Sequence, residues 1–357
     1  MEKCIIALGD LFQLEPIRSK PVFEDYKDTA LNVCHPWHVF EMIELTKIMR
    51  QKDDEEFTAL LNRFRIGSET DEDIQLIQSR AINSLDNYNY PRNVLHVWAK
   101  NNPVLKYNNR RLEEINKCLF YLRAADQYPP NVSEQEVSNI LARPRSETGG
   151  LDFEIKIKEM ARIMLTNTID IADRLINGQL GKVMRINVDC NTQKPNVIYV
   201  KFDDDKAGKN LLQKSNNQYA KKHGFVPIER ILARFKVKPE KPSSQEVQRV
   251  QFPVTLAWAC TVHKVQALTL DKIVVSFSLE GQKYFNYGQI YVALSRCKSL
   301  EGLHILGKIE RSHVRVNSKV HEEYERLRKS NCLKMPAIVR KDKKESFVIS
   351  LLNIILL

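Results

Sequence analysis

No Cys-x-x-Cys pair occurs in this chain, and its seven cysteines, Cys4, Cys34, Cys118, Cys190, Cys260, Cys297 and Cys332, are scattered and odd in number. That spacing excludes a disulfide framework and a cysteine zinc site, and it points to a reducing compartment. His35, His38, His96 and His223 have no ligand-like spacing with carboxylates, which argues against a nuclease or other metal enzyme. Long hydrophobic runs are also missing. The longest, Phe347–Leu357, is about half of what a bilayer crossing needs, so it reads as a frayed terminus and no membrane association is expected. No secretory leader is expected either, because Met1–Leu8 runs straight into Gly9-Asp10. There is no internal repeat and no long low-complexity tract; residues 238–246 are the expected flexible linker.

What is present is enough chain for two domains, or for one domain carrying an insert: 357 residues, 43% of them hydrophobic. Fifty-five Lys and Arg against forty-four Asp and Glu leave a net charge of +11, which favours a polyanionic partner, most commonly nucleic acid.

Residues 4–8 form an apolar run that reads as a buried strand ending in a loop, like the last part of a domain whose beginning lies elsewhere. Leu45, Ile48, Met49, Phe57, Leu60 and Leu61 predict helices over residues 44–61, with Gly67 as a stop. A strand is predicted at 94–99 and a helix at 103–112. From about 161 to 253 the texture changes to short apolar runs split by turn residues, at 163–165, 181–186 and 197–202, the spacing of a small antiparallel barrel. Strand-like runs return at 254–259, 273–277 and 303–306, with a helical stretch at 288–296 between the last two. Such alternation predicts a parallel α/β sheet, so the barrel reads as an insert within an α/β domain.

Three stretches carry chemistry. The first, Ile6-Ala7-Leu8-Gly9-Asp10-Leu11-Phe12-Gln13-Leu14, delivers an acid and an amide at a strand's end, where α/β sheets line their ligand crevices; taken alone it is equally an ordinary tight turn. In the second, Ala257–Thr269, an apolar strand turns abruptly polar and concentrates Thr261, His263, Lys264 and Gln266, donors suited to tracking a phosphate and sugar backbone. The third, Gly288–Arg296, puts Gln289, Ala293 and Arg296 on one helix face, and an arginine at such an end can reach a γ-phosphate across a cleft.

In this order the three stretches resemble helicase motifs III, V and VI of the superfamily-1B enzymes, most closely the PIF type (petite integration frequency), which is RecD-like. Leu45–Gln51 resembles motif IV, 97–112 the Ala-Thr-Asn strand and helix, and 161–183 with 251–258 the borders of the inserted 2B barrel. The likeness runs from Lys3 to about Leu327. It implies a RecA-like fold: 1–43 as the end of the first RecA-like domain, 44–159 with 254–320 as the second, 160–253 as an SH3-like barrel, and 321–357 as a tail. It further implies ATP-dependent 5′-to-3′ DNA unwinding in repair, recombination or telomere maintenance, with ATP and Mg²⁺ as cofactors. Single-stranded DNA and DNA forks are the implied partners of a monomer in the nucleus, or alternatively the mitochondrion. Carried onto this chain, the resemblance makes Gln13 a γ-phosphate sensor with Asp10 beside it. Arg50 and Arg296 would contact that phosphate from the second domain, and Gln289 would couple nucleotide state to closure. Thr261, His263, Lys264 and Gln266 would hold single-stranded DNA.

Several positions depart from the family pattern: Val265 stands for a small residue, Ala267 for glycine, Lys100 for threonine and Glu15 for proline. A phosphate-binding loop is not found. The pairs Gly181-Lys182, Gly208-Lys209 and Gly307-Lys308 are followed by Val, Asn and Ile where Ser or Thr is needed, and no strand of the expected parallel sheet ends in paired acids for the metal. The chain is therefore expected to be a fragment that is inactive as an ATPase on its own. A non-catalytic DNA-binding remnant, of a helicase or of a Helitron-type mobile element, is the alternative.

Overall fold

The computed structural model describes residues 5–16, 19–24, 36–45, 47–82, 90–241, 243–277, 285–331 and the backbone of 354–356. The chain divides into two compact units, residues 1–99 with 265–357, and residues 100–264. The first unit begins with β1 (Ile6–Leu8), β2 (Glu41–Ile43), α1 (Glu55–Ile66), α2 (Asp71–Gln78), β3 (Ala81–Ile82) and β4 (Leu95–Trp98). The second holds α3 (Asn101–Glu113), β5 (Leu119–Arg123), β6 (Ala125–Gln127), α4 (Glu134–Leu141), β7 (Glu154–Lys158), β8 (Arg162–Leu165), β9 (Leu180–Val188) and β10 (Pro195–Phe202). It continues with α5 (Lys209–Lys214), α6 (Gln218–His223), β11 (Val226–Ile228), β12 (Ile231–Lys236), β13 (Glu246–Gln251), β14 (Val254–Leu256), β15 (Ala259–Thr261) and the turn of helix α7 (Val262–Val265). The chain then returns to the first unit with β16 (Ile273–Ser276), α8 (Gln289–Leu294), β17 (Leu303–Leu306), α9 (Ser318–Asn331) and β18 (Ile354–Leu356).

In the first unit β4, β16, β17 and β3 run parallel in that order, with Ile273 opposite both Leu95 and Leu303, and Ile305 opposite Ala81. Every residue of β4 and β16 is buried, which is why these runs are apolar throughout and do not alternate. The parallel α/β sheet expected from residues 94–99, 273–277 and 303–306 is the one observed.

The helical reading of residues 44–61 holds only from Glu55. Asp54 caps α1 by accepting the Phe57 N–H at 3.0 Å, and Gly67 ends it in a left-handed turn at φ 70°. Ahead of that cap, Leu45 and Met49 are 61% and 65% exposed, so no core drives a helix there. Residues 318–331, where a tail was expected from 321, form α9 instead: Val320, Tyr324 and Leu327 build a core with Phe12, Trp37 and Met42. The Trp37 indole N–H donates to Glu323 at 2.6 Å. Of the apolar run 347–357 only β18 is described, lying parallel between β1 and β2.

The second unit is built on antiparallel pairing. One sheet has the order β11-β10-β9-β8-β14, a smaller one β12-β13-β6, and β5 pairs with β7 as a ribbon. Strands from both sides of the expected insert, 160–253, pair with strands inside it: β6 with β13 and β14 with β8. β5, β6, β7 and α4, from residues 119–158, pair and pack within this unit. Ile140 of α4, for example, packs on Phe235, Val237 and Val247.

At the centre of the small sheet Arg249 and Asp126 are cross-strand partners, fully buried and joined by hydrogen bonds of 2.7 and 2.8 Å. The Arg249 guanidinium also donates to the Leu151 carbonyl and lies over the rings of Phe153 and Phe235. Removing one member strands the other charge, so Asp126→Ala should cost about 3–5 kcal/mol in chemical denaturation, whereas replacing both by apolar residues of similar volume should cost far less.

Candidate functional site

The loop after β1 is held by its own acid. Asp10 accepts the Phe12 N–H at 3.1 Å, and the Gln13 N–H donates to the Asp10 carbonyl at 3.0 Å. Arg65, near the end of α1, grips the Asp10 carboxylate with Nη2 at 2.8 Å and Nε at 3.0 Å, and the Tyr324 hydroxyl of α9 donates to the same carboxylate at 3.0 Å. Phe12 stacks on Tyr324 with ring centres 4.8 Å apart, and the Arg65 guanidinium covers Phe12 at 4.8 Å. Burial pushes the Asp10 carboxyl up, but the hydrogen bonds and charge of Arg65 outweigh it and hold the group below the usual carboxylate range. Asp10 thus points into the fold. Gln13 reaches it only at 3.4 Å, through its side-chain amide. Glu15, where the family pattern has proline, accepts from the Asn317 amide at 2.7 Å.

Gly288, at φ 68°, brings the start of α8 against this loop so closely that a Cβ there would lie 2.5 Å from the Gln13 carbonyl oxygen. Gln289 is buried, and its side-chain oxygen accepts the Asn286 N–H at 3.0 Å. Arg296 lies just past the helix end, 2% exposed, donating to the Val292 carbonyl at 2.9 Å and to the Ser295 hydroxyl at 2.8 Å. Arg50 donates to the Ser295 carbonyl at 3.1 Å and the Thr269 hydroxyl at 2.9 Å, while Gln51 takes the Ser295 and Cys297 carbonyls. Motif IV therefore satisfies the carbonyls that the end of α8 leaves open.

Arg50 and Arg296 are close enough to repel, and among the described residues neither forms an ion pair with a carboxylate. Burial and then the Arg50 charge push the Arg296 guanidinium down to about 10; burial also lowers Arg50. Tyr291, whose phenol is raised by burial and by Asp10, sits electrostatically among Asp10, Arg65, Arg296 and Arg50 and links the two clusters. An open cleft of about 910 Å³ is lined by Arg50, Gln51, Thr269, Tyr291 and Ser295 and also by three acids, Asp53, Asp54 and Glu301. Gln13 and Arg296 are not in that lining. No pattern in the sequence marked Arg65 or Tyr324, because their contacts depend on partners up to 314 residues away; Tyr291 lies within the third stretch but was given no role there.

In the second unit Thr261 ends β15 and His263 and Lys264 lie in α7, all half-buried. Asn108 fixes β15 by accepting the Ala259 N–H at 2.9 Å and donating to its carbonyl at 3.0 Å. Burial, then the Arg145 charge, lowers the Lys264 ammonium, with Asp152 opposing; burial lowers His263, leaving it a neutral donor at pH 7. Gln266 is exposed, and among the described residues none of these four side chains is engaged in a hydrogen bond. Ala267 adopts φ 73°, the left-handed conformation that the family's glycine accommodates freely.

Among the described residues no group of three or more His, Cys, Asp or Glu could hold a metal, and no disulfide forms: Cys118, Cys190, Cys260 and Cys297 are free. His96 is a core residue between Tyr90 and Trp98. Cys4, Cys34, His35 and Cys332 lie outside the described residues.

A parallel α/β sheet with an acid-and-amide loop at a strand end and an arginine pair at a helix end places the chain in the RecA-like α/β class. No family model matches the chain. It is 27% identical over 333 residues to ATP-dependent DNA helicase PIF1 of Homo sapiens, covering 93% of this chain and 44% of that protein, and 25% identical to the Xenopus laevis PIF1, covering 94% and 45%. Among solved structures it resembles the Candida albicans Pif1 helicase (TM-score 0.58, 26% identity, 80% of this chain and 60% of that one). It also resembles a Bacteroides Pif1 helicase in complex with ADP-AlF3 and ssDNA (TM-score 0.58, 25% identity, 90% and 66%). These likenesses support the PIF-type helicase family for this chain, which spans about half the length of the curated relatives it matches.

Two outcomes follow from this geometry. Because the Asp10 carboxyl is depressed in the fold, its contribution to stability is present above about pH 4 and is lost as pH falls through the folded value; Asp10→Asn should flatten the acid limb of a thermal-unfolding profile. Ala267→Gly should raise stability by about 1 kcal/mol in a urea titration, since it removes left-handed strain at an exposed position.

Proposed function

We propose that this chain is the nucleotide-sensing and DNA-gripping part of an ATP-dependent, 5′-to-3′ DNA helicase of the PIF type. The observation that carries the reading is the pair Arg50 and Arg296: two guanidiniums near one another, one of them buried, and neither in an ion pair with a carboxylate among the described residues. Such a pair costs free energy until an anion arrives, and the terminal phosphate of ATP is the anion this fold accommodates. Burial and the carbonyls at the end of α8 hold the arginines in place beforehand, so little reorganisation accompanies binding. Gln13, set by the Asp10 loop, would sense the same phosphate, and Gln289 would transmit closure through the turn before α8. Thr261, His263, Lys264 and Gln266 would hold the backbone of single-stranded DNA, their donors being free.

A bound nucleotide would supply the free energy for unwinding. The described residues offer no cluster fitting Mg²⁺, and the 357 residues contain no glycine-rich loop followed by Lys and Ser or Thr. The same observation favours the second reading, a DNA-binding remnant without turnover.

For the purified chain we expect no DNA-stimulated ATP hydrolysis above background; a rate abolished by Arg296→Ala would overturn that. At constant ionic strength, inorganic phosphate should raise the melting temperature of the wild-type chain over that in chloride, and the Arg50→Ala/Arg296→Ala double variant should lose the difference. An equal rise in both proteins would show that the arginine pair is not the anion site.

A further inference from the structure

Between β10 and β11 the chain leaves the sheet to form α5 and α6, and from Lys206 to His223 this excursion contains five lysines and no aspartate or glutamate. It is firmly seated. The Asp173 carboxylate accepts the N–H groups of Asn210 and Leu211, each at 2.8 Å, and Gly208 lies so close to Val226 that a Cβ would come within 2.5 Å of it. Asn217 caps α6 by accepting the Ala220 N–H at 3.0 Å and donates through its amide to the Tyr199 hydroxyl.

On that fixed helix a row of rings reaches the surface. Tyr219 packs edge-on against the buried Tyr199 at 5.1 Å, His223 lies 4.2 Å from Tyr219, and Phe225 lies 5.6 Å from His223. The Arg185 guanidinium of β9 covers Tyr219 at 4.5 Å. Arg185 and His223 are exposed, and Tyr219 and Phe225 half-buried. Lys182 and Lys201 are cross-strand partners on the sheet face that also carries Tyr199, and Lys221 and Lys222 are exposed on α6. Among the described residues none of these four lysines has an ion-pair partner, whereas the neighbouring acids Asp203 and Asp204 are already taken by Arg162 and Arg174.

We propose that this face is a second binding platform for single-stranded DNA, in which unpaired bases stack on His223, Phe225 and the Arg185–Tyr219 pair while the lysines hold the phosphates. Stacking on aromatic rings and guanidinium planes beside a basic groove is the physical means of binding single strands without regard to sequence. Duplex DNA hides its base faces and would gain nothing from the rings. The proposal rests on the reading that the chain handles DNA, but it uses none of the residues that carry that reading.

The test compares the full chain with Lys221→Gln/Lys222→Gln/His223→Ala and with Lys264→Ala, by fluorescence anisotropy on labelled oligo-dT. The triple variant should bind about tenfold more weakly, and its logarithmic salt slope should fall by about 1.4, two phosphates at roughly 0.7 each. If it binds like wild type while Lys264→Ala loses binding, the platform is wrong and the DNA reading stands. If only the triple variant loses binding, the platform stands and the assignment of Lys264 falls. Absence of any single-strand binding by wild type overturns both. In the unaltered chain, photocrosslinks from iododeoxyuridine-substituted oligonucleotides should map to Tyr219, His223 or Phe225, and crosslinks confined to other residues would count against the platform.

Discussion

A single carboxylate organises the loop that follows β1. Asp10 accepts from its own loop, from Arg65 on α1 and from Tyr324 on α9, so one half-buried charge ties together segments more than three hundred residues apart. Charge-assisted bonds of this kind are strong only when both partners are held in register, and here the mutual packing of Phe12, Arg65 and Tyr324 provides that. The close approach of Gly288 to the Gln13 carbonyl then passes the same order to the start of α8.

Two buried arginines show how context decides what such a residue does. Arg249 is enclosed with Asp126 and between aromatic rings, so its charge is matched and its role is to hold β6 to β13. Arg296 is as deeply buried but meets only carbonyl and hydroxyl oxygens, with Arg50 as a like-charged neighbour. The first arrangement matches charge with charge inside the fold, whereas Arg296 has no ion-pair partner among the described residues. Perturbed ionisable groups of the second kind are found more often at functional sites than elsewhere.

The antiparallel unit follows a different logic. Its strands recruit partners from 119–127 and 254–256 as well as from the central run, so its extent is set by hydrogen-bonding edges rather than by a change in texture along the chain. An exposed strand edge must be paired, and the nearest available strands are local in space without being local in sequence.

The amino-acid sequence alone determined the parallel sheet, because strands buried on both faces must be apolar throughout, and it determined the end of α1, because Gly67 takes a left-handed turn. It also placed Arg296 at a helix end and grouped Thr261, His263 and Lys264, since those relations span a few residues. Only the tertiary structure decided that residues 44–54 are not helical, that Asp10 is clasped and turned inward, that Tyr291 links two charge clusters, and that residues 318–331 complete the core around Phe12. Those outcomes depend on side chains brought together over long separations, where local periodicity carries no information and burial, charge matching and hydrogen-bond satisfaction choose the partner.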